Sequence, residues 1–514
     1  MPRISTKAAL ATSAAISLLW LVASCLLAER FNVPSGDGIL YSLPLAAAKH
    51  PFDLGIPFLN DFDGYGSSWG HHWPGAMWLR GLIFFALPYS RMADVAVLAM
   101  FQLLAAATAS CLVWATTRKL WPAAATLILI LSDRLLLLAC AGNRFESIPV
   151  AVVLLLFANS VAGLDRRHAG WRWLMRTLAF LCPTLHPYGL VTGAMILGYD
   201  CLAARRQGTS PRECGLRMGA FVLGCVAVAA WFGTQPDALR QFAANLALQK
   251  SFYQDWNSVI HGLGNYRAGG GLALWGTGVV AACLLAAGWP ALKNGSFVPL
   301  GPAWRFLAPA LFAAVIAIHT LTRCENFHYL AFGSPFAVMM AGVAAARIPA
   351  GTRAVFRWIP AAALSAITAM HGILLPYRIL QFKQAGMPDL GAELSAVLRQ
   401  VPANRTIYIP SLFWPVAIHD RTHEIRWSTF PVASPRQVRE RYEREAYAAA
   451  KPGDTLIIDN AGARQPDRFG VHPTFAQLPP DPSKWARVAD RKLLFPGSIP
   501  WGLDLSVYEF REKR

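Results

Sequence analysis

The residues of this 514-residue sequence that are best suited to chemistry lie beside long apolar runs. Asp37 stands between two glycines in Ser35-Gly36-Asp37-Gly38. Flanking glycines let backbone or a ligand approach a side chain closely. A carboxylate in that setting can accept the proton of an attacking hydroxyl group. An ordinary turn aspartate would have the same neighbours, so the sequence alone leaves both interpretations open.

A pair of opposite charges opens another apolar run, in Arg144-Phe145-Glu146. An ionisable side chain at membrane depth costs about 2.5–3.5 kcal/mol on insertion scales, so such residues usually face a cavity or a partner. Arg144 could hold a phosphate group, with Glu146 fixing it. Alternatively, the two residues neutralise each other or extend their charges to the membrane surface.

Histidines and one further arginine complete the set of candidates. His71-His72 precedes a tryptophan-rich interfacial segment, His186 lies in a short helix pair, and Arg323 and His328 belong to one turn. Adjacent histidines project in different directions, so a two-ligand metal site at His71-His72 is not expected. His72 alone could bind a phosphate or a metal, or the segment could serve only as an interfacial anchor.

Several familiar catalytic and metal-binding signatures are missing from the sequence. It contains no phosphate-binding loop of the Walker type, no GxSxG elbow and no HExxH motif. The nine cysteines are scattered without CxxC spacing, and none follows Cys324. We therefore predict neither a disulfide framework nor a structural metal.

The composition indicates what kind of protein must position these residues. Hydrophobic residues make up 55% of the chain, charged residues only 15%, and mean hydropathy is +0.36. These values exclude an ordinary water-soluble enzyme. Apolar runs of membrane-spanning length predict about eleven transmembrane helices. They lie near residues 8–28, 92–115, 121–140, 145–163, 174–184, 187–203, 216–233, 271–289, 305–322, 330–346 and 358–377.

The basic residues indicate an orientation. The net charge is +18, and the short loops that would share a side with the amino terminus are rich in arginine and lysine. The positive-inside rule places that side in the cytoplasm and explains the charge without a nucleic-acid partner. The loops at residues 29–91 and 234–270 then face outward, as does the tail. In the short segment before residue 203, we expect Pro183 and Pro187 to break a helix pair.

The composition changes after residue 377, where the chain becomes more polar. A helical pattern covers Leu390 to Val401, and short β-like runs occur at Thr406–Ile409 and Thr455–Ile458. We expect residues 378–514 to form a small extracytoplasmic α/β domain that follows a transmembrane domain at residues 1–377. The stretch from Arg436 to Ala450, which includes Tyr447, has the pattern of a solvated helix.

The order of these features resembles the GT-C superfamily of membrane glycosyltransferases. Asp37 follows the first span, an interfacial segment comes next, and a basic turn occurs at Arg118-Lys119. Leu131-Ser132 follows, and twelve residues later the Arg-x-Glu of Arg144. The sequence is most similar to the protein O-mannosyltransferase and lipid A aminoarabinose transferase branch, over residues 8–350.

The resemblance assigns roles to the matching residues, with departures at their neighbours. Asp37 stands at the catalytic aspartate, followed by Gly38 where a glutamate is common. Arg144 and Glu146 match an Arg-Pro-Glu motif in which Phe145 replaces the proline. His72 falls near a metal-binding glutamate of the aminoarabinose transferases. His186-Pro187 stands where relatives often have Lys-Gly, and His328-Tyr329-Leu330 is similar to an Arg-Tyr-Leu motif.

The resemblance implies an inverting glycosyltransferase at the outer face of a bacterial inner membrane. A polyprenyl-phosphate sugar would be the donor, and a lipid, glycan or protein the acceptor. Asp37 would be the base, and the donor phosphate would be bound by Arg144, Glu146, Arg323, His186 and His328. The implied reaction requires no cofactor, although a divalent metal bound through His72 is allowed.

Two other functions fit parts of the same sequence. A lipid-linked polysaccharide polymerase or ligase would also take sugar from a lipid carrier at the outer face. A transporter or flippase would use buried charges and broken helices. No inverted repeat is evident, however, and a transporter does not need an exported α/β tail.

Overall fold

The structure is a computed structural model of the chain. The described residues are 73–133, 144–166, 168–207, 210–236, 238–240, 242–243, 302–321, 327–346, 390–410, 413–417, 422–431, 447–460, 475–477, 480–494 and 502–511, with single positions at 15, 19, 20, 22, 42, 45, 136, 140 and 420.

The region up to residue 346 is helical throughout its described parts. Its α-helices are α1 (Gly75–Ala86), α2 (Arg91–Thr117), α3 (Leu120–Leu131), α4 (Ser147–Ala162), α5 (Ala169–Leu185), α6 (Pro187–Gln207), α7 (Pro211–Thr234), α8 (Ala308–Leu321) and α9 (Ser334–Ala346). A π-helical turn at Ala303–Leu307 precedes α8, and a 3₁₀ turn at Phe327–Phe332 precedes α9.

Helices α2 and α7 are long and apolar enough to cross a membrane. They coincide with the spans predicted at 92–115 and 216–233. Helices α1, α3 and α4, the stretch Ala303–His319 and the stretch Tyr329–Val343 are apolar but shorter. The spans predicted at 271–289 and 358–377 lie outside the described residues, and only positions 15, 19, 20 and 22 of the span at 8–28 are described, so the number of spans stays a prediction.

The expected broken helix pair is observed, but the break lies next to Pro187 and not at Pro183. Pro183 lies inside α5, which continues to Leu185, and the break falls at His186, whose backbone is extended. Pro187 begins α6, and the first position of a helix needs no N–H donor. Both helices are longer than the sequence suggested, because α5 begins earlier, at Ala169, and α6 ends later, at Gln207.

Contacts between helix termini define two ends of the bundle. At one end, the Ser147 hydroxyl at the start of α4 donates to the Leu98 carbonyl of α2 (2.9 Å). The Gln102 side chain also donates there, to the Ile130 carbonyl near the end of α3 (3.1 Å). We call this the site end. At the other end, which we call the basic end, Lys119 Nζ donates to the Ala346 carbonyl at the end of α9 (2.5 Å).

Small and aromatic side chains fill the core between the helices. Helix α4 is buried along most of its length, and α2 contributes a series of buried alanines that allow close helix packing. The Phe157 ring makes edge-on contacts with Trp304 of the π-helical turn (5.5 Å) and with Phe336 of α9 (5.3 Å). These contacts hold the segments around α8 and α9 against α4.

The tail contains helices α10 (Leu390–Arg399) and α11 (Trp414–Ala417) and two β-sheets. Its strands are β1 (Thr406–Ile409), β2 (Glu424–Trp427), β3 (Thr429–Pro431), β4 (Thr455–Asp459), β5 (Phe475–Gln477), β6 (Trp485–Leu494) and β7 (Gly502–Phe510). The larger sheet has the order β2-β1-β4-β7-β6. Strands β2, β1 and β4 are parallel to one another, and β7 is antiparallel to both of its neighbours, β4 and β6. Strands β3 and β5 pair separately.

The tail has a hydrophobic core of its own among the described residues. Leu394 and Leu398 of α10 pack with Ile407 of β1 and Ile457 of β4. The predicted helix from Leu390 and the strands at Thr406 and Thr455 are therefore confirmed. The separation of residues 378–514 as a domain stays a prediction.

The predicted solvated helix from Arg436 to Ala450 is wrong at its carboxyl end. Tyr447 has a positive φ of 65° and opens a turn, which is incompatible with a continuing α-helix. Its ring packs edge-on against Tyr408 (5.2 Å) and Trp485 (5.6 Å). Burial of this aromatic side chain against the sheet outweighs the local helical pattern. Residues 432–446 lie outside the described part of the chain.

Candidate functional site

Arg144 and Glu146 form a buried ion pair at the site end, directly before α4. Arg144 Nε lies 2.7 Å and Nη2 lies 2.5 Å from the same oxygen, Glu146 Oε1. Each residue is only 2% exposed. Of the interpretations that the sequence left open, mutual neutralisation is therefore observed, and the charges do not extend to the surface. A buried carboxylate of this kind holds a guanidinium in a fixed orientation.

His186 lies between α5 and α6 and is almost completely buried. The Tyr188 backbone N–H donates to His186 Nδ1 (3.1 Å), so this nitrogen carries no proton. The imidazole is then neutral and has its proton on Nε2. In this geometry His186 is a hydrogen-bond donor without charge, whereas a role as a cation would require breaking the bond from Tyr188.

An aromatic group brings three of the sequence motifs together around His186. The His186 ring centroid lies 4.7 Å from that of Phe332, 4.9 Å from that of Tyr329 and 6.4 Å from that of Phe145. Tyr188 also contacts Tyr329 (5.5 Å). Phe145 connects this group to the Arg144–Glu146 pair. The 3₁₀ turn at Phe327–Phe332 carries His328, whose side chain lies outside the described residues.

Helix α1 packs against the same region. A Cβ atom built on Gly75 would lie 2.3 Å from Thr184 Oγ1, so only glycine fits at this contact. Thr184 lies two residues before His186. The close approach therefore fixes the start of α1 beside the end of α5.

Two buried polar contacts at this end were not among the candidates from the sequence. Ser334 at the start of α9 donates to Asp133 Oδ2 (2.6 Å), and Leu136 N–H donates to Oδ1 of the same carboxylate (3.3 Å). Arg80 of α1 forms a two-bond ion pair with Asp94 in the first turn of α2. Both contacts join separate helices. Asp133 directly follows Leu131-Ser132, which is the signal that could have identified it.

The other predicted site residues lie outside the described part of the chain. These are Asp37, His72 and Arg323, so their roles stay predictions. Within the described ranges, no group of three or more histidine, cysteine, aspartate or glutamate side chains is arranged to hold a metal ion.

Comparison with solved structures identifies the architecture. The chain is similar to ArnT from Cupriavidus metallidurans bound to undecaprenyl phosphate, with a TM-score of 0.57 and 13% identity over 98% of each chain. It is also similar to ArnT from the same organism in the apo state, with a TM-score of 0.51 and 13% identity over 96% of this chain and 98% of that one. The chain has the GT-C fold. This confirms the fold expected from the sequence.

The similarity to these GT-C structures extends over nearly the whole chain, including the tail. No family model and no curated protein matches the sequence. Within the GT-C fold, the Arg144–Glu146 pair, His186 and the Tyr329 turn are gathered at one end of the helix bundle. That convergence defines the candidate site.

Proposed function

We propose that this protein is a membrane glycosyltransferase that moves a sugar from a polyprenyl-phosphate donor to an acceptor, with inversion at the anomeric carbon. The observation that carries the proposal is the convergence of Arg144, Glu146, His186 and the Tyr329 turn at one end of a GT-C bundle. The similar ArnT structure binds undecaprenyl phosphate.

Arg144 is the proposed anchor for the donor phosphate. A guanidinium has five N–H donors, and in Arg144 the Nε–H donates to Glu146 Oε1. Planar guanidinium groups match phosphate oxygens with paired hydrogen bonds. Glu146 acts as the orienting partner that keeps this group in one position before the donor binds.

The proposed phosphate site needs more positive charge than Arg144 brings. Glu146 already neutralises Arg144, and a buried phosphate adds negative charge that requires compensation. Arg323 and His328, which the sequence offers as candidates for binding the phosphate, would supply it. His186 adds a neutral Nε2–H donor because its Nδ1 accepts a bond from Tyr188.

The chemistry proposed for the site is a single displacement. An acceptor hydroxyl oxygen forms a bond to the anomeric carbon while the bond from that carbon to the phosphate oxygen breaks. Asp37 takes the hydroxyl proton, and the electron pair of the broken bond leaves on the lipid phosphate. Cations and N–H donors around the phosphate stabilise the charge that develops there. Attack from the face opposite the leaving group inverts the anomeric carbon.

The proposed setting is the outer face of a bacterial inner membrane. Polyprenyl-phosphate sugars are lipid-linked, and the helical bundle includes helices that can cross a membrane. The acceptor would be a lipid, a glycan or a protein. The GT-C fold and the apolar composition favour membrane lipids as the surroundings of the protein.

Purified protein should be incubated with a panel of radiolabelled polyprenyl-phosphate sugars and an extract of cell-envelope components. The proposal predicts transfer of labelled sugar to an acceptor or slow release to water, and Asp37→Asn should lower this rate by about 10²–10⁴. Growth of one labelled chain through many sugars would instead support a polymerase. Uptake into vesicles without cleavage would support a transporter and contradict the proposal.

A further inference from the structure

The carboxylates at the basic end are hidden from the surface. Over residues 113–121, 160–176, 197–217 and 343–346, the acidic residues are Asp165, Asp200 and Glu213. All three are buried. Asp165 and Asp200 both pair with buried Arg217 of α7 (3.5 and 2.9 Å), and Glu213 pairs with Arg176 of α5 (2.5 Å).

Among the described side chains of those ranges, the exposed charged ones are all basic. They follow the end of α2, the end of α4 and the starts of α5 and α7, and they are Arg118, Lys119, Arg166, Arg172 and Arg212. No exposed acidic side chain lies beside them in the described part of these ranges. We call these five residues the basic face.

Exposed tryptophans lie among the basic residues. Trp114, Trp121 and Trp173 all have a large exposed fraction, with Trp173 at 67%. Two of them carry a stacked guanidinium, with Arg118 Cζ 5.4 Å from the Trp114 ring centroid and Arg176 Cζ 5.0 Å from that of Trp173. Tryptophan side chains favour the headgroup level of a bilayer. The rings place the basic face at that level.

We propose that the basic face binds anionic phospholipid headgroups of the leaflet in which it lies. Exposed guanidinium groups pair with lipid phosphates, while Asp165, Asp200 and Glu213 lie buried against Arg217 and Arg176. The adjacent tryptophans hold the same residues at headgroup depth. This lipid site lies at the end of the bundle opposite Arg144 and His186, so it does not depend on the proposed transferase activity.

Lipid retention by the full-length protein tests this proposal. The protein is reconstituted in vesicles with equal amounts of phosphatidylglycerol and phosphatidylcholine, extracted gently, and analysed for retained lipids by native mass spectrometry. We expect phosphatidylglycerol to be retained in excess, and the excess to fall as ionic strength rises. The double variant Arg172→Gln/Arg212→Gln should lower the excess at least about two-fold, because each basic residue near an anionic surface adds to the attraction.

A control variant removes the same charge from the tail. Arg491→Gln/Lys492→Gln changes two exposed residues of β6 and should leave lipid retention unchanged. All four positions are exposed, and folding is checked by the thermal midpoint of each variant. Equal retention of the two lipids by the unaltered protein, or an equal fall in both double variants, would overturn the proposal.

Discussion

The Arg144–Glu146 pair is the residue-scale feature on which the account depends most. Both side chains are buried, so removing one partner leaves the other charge uncompensated. Breaking a buried pair in this way typically costs about 3–5 kcal/mol, whereas replacing both partners by apolar residues is often neutral. A loss of activity in a single variant must therefore be separated from a loss of folding.

Substitutions at Arg144 should distinguish its structural role from its role in binding the donor phosphate. Arg144→Lys keeps a charge for Glu146 but lacks the planar fork, so donor affinity and turnover should be only partly retained. Glu146→Gln should give a milder defect than Arg144→Ala. The double variant Arg144→Met/Glu146→Leu should fold better than Arg144→Ala yet remain inactive. Donor titration and turnover, with thermal midpoints alongside, measure these effects.

The control for this series is the ion pair between α5 and α7, Arg176–Glu213, at the opposite end of the bundle. Arg176→Gln/Glu213→Gln should leave donor affinity unchanged. If folded Arg144→Ala bound and consumed the donor as well as the unaltered protein, the pair would have only a structural role. Arg323 would then be the leading candidate for the phosphate.

At the scale of elements, the contact between α1 and α5 positions the site. Gly75→Ala would place a methyl group against Thr184 Oγ1 and the Thr184 backbone carbonyl. Overpacking of this kind typically costs about 1–3 kcal/mol, and here it would displace α1 from the segment that carries His186. We expect turnover to fall more steeply than the thermal midpoint.

Gly170 of α5 provides the matched control for that variant. A Cβ atom on Gly170 would meet nothing within 4 Å, so Gly170→Ala should be neutral or slightly stabilising. Equal turnover in the Gly75→Ala and Gly170→Ala variants would show that the position of α1 does not matter for the reaction.

A polar cluster in the tail makes its stability depend on pH. Burial alone would raise the pKa of Asp420, but hydrogen bonds from His423 and Thr422 outweigh it and lower that pKa below its usual value. The His423 ring also reaches the Val401 carbonyl (3.1 Å), so the cluster connects the start of β2 to the end of α10. The stability from Asp420 is complete above its unfolded-state pKa and is lost as pH falls through the lower folded-state value.

Asp420→Asn should therefore lower the thermal midpoint of the tail at neutral pH, and the deficit should shrink below about pH 4. Asp490→Asn is the comparison, because Arg487 also lowers the pKa of Asp490, but at an exposed position where solvent screens the pair. Its effect at neutral pH should be smaller. A deficit that grew as pH fell would contradict the assignment to the Asp420 carboxylate.

Local sequence patterns predicted the helices and strands far better than they predicted the contacts between them. Strand β1 and helix α2 lie where alternation and apolar length placed them, because those signals are read from neighbouring residues. The Arg144–Glu146 pair could be predicted for the same reason, because its two residues are close in the sequence. The Ser334–Asp133 bond joins residues 201 positions apart, and no local pattern encodes it. Tyr447 has a positive φ that follows from packing against the sheet, which overrides the helical spacing around it.

At the scale of the whole molecule, the two ends of the bundle differ in charge and predict an orientation. The basic end should lie in the cytoplasm under the positive-inside rule, and the tail should face outward. A cysteine at exposed Ser483 should then react with an impermeant thiol reagent in spheroplasts, whereas a cysteine at exposed Ser210 should react only after permeabilisation. Labelling is measured over that of the parent chain. The reverse pattern would invert the topology and place the candidate site on the cytoplasmic face.

The central claim is that the protein cleaves a polyprenyl-phosphate sugar at its anomeric bond, and a doubly labelled donor tests this most directly. One isotope marks the sugar and another the polyprenyl chain, and the donor is supplied to protein reconstituted in vesicles together with cell-envelope acceptors. The account predicts that the two labels separate, with sugar on a new molecule and the lipid label in free polyprenyl monophosphate. The opposite result is that the two labels stay together. Transport of the intact donor across the bilayer, or no change in the donor for any sugar of the panel, would contradict the account.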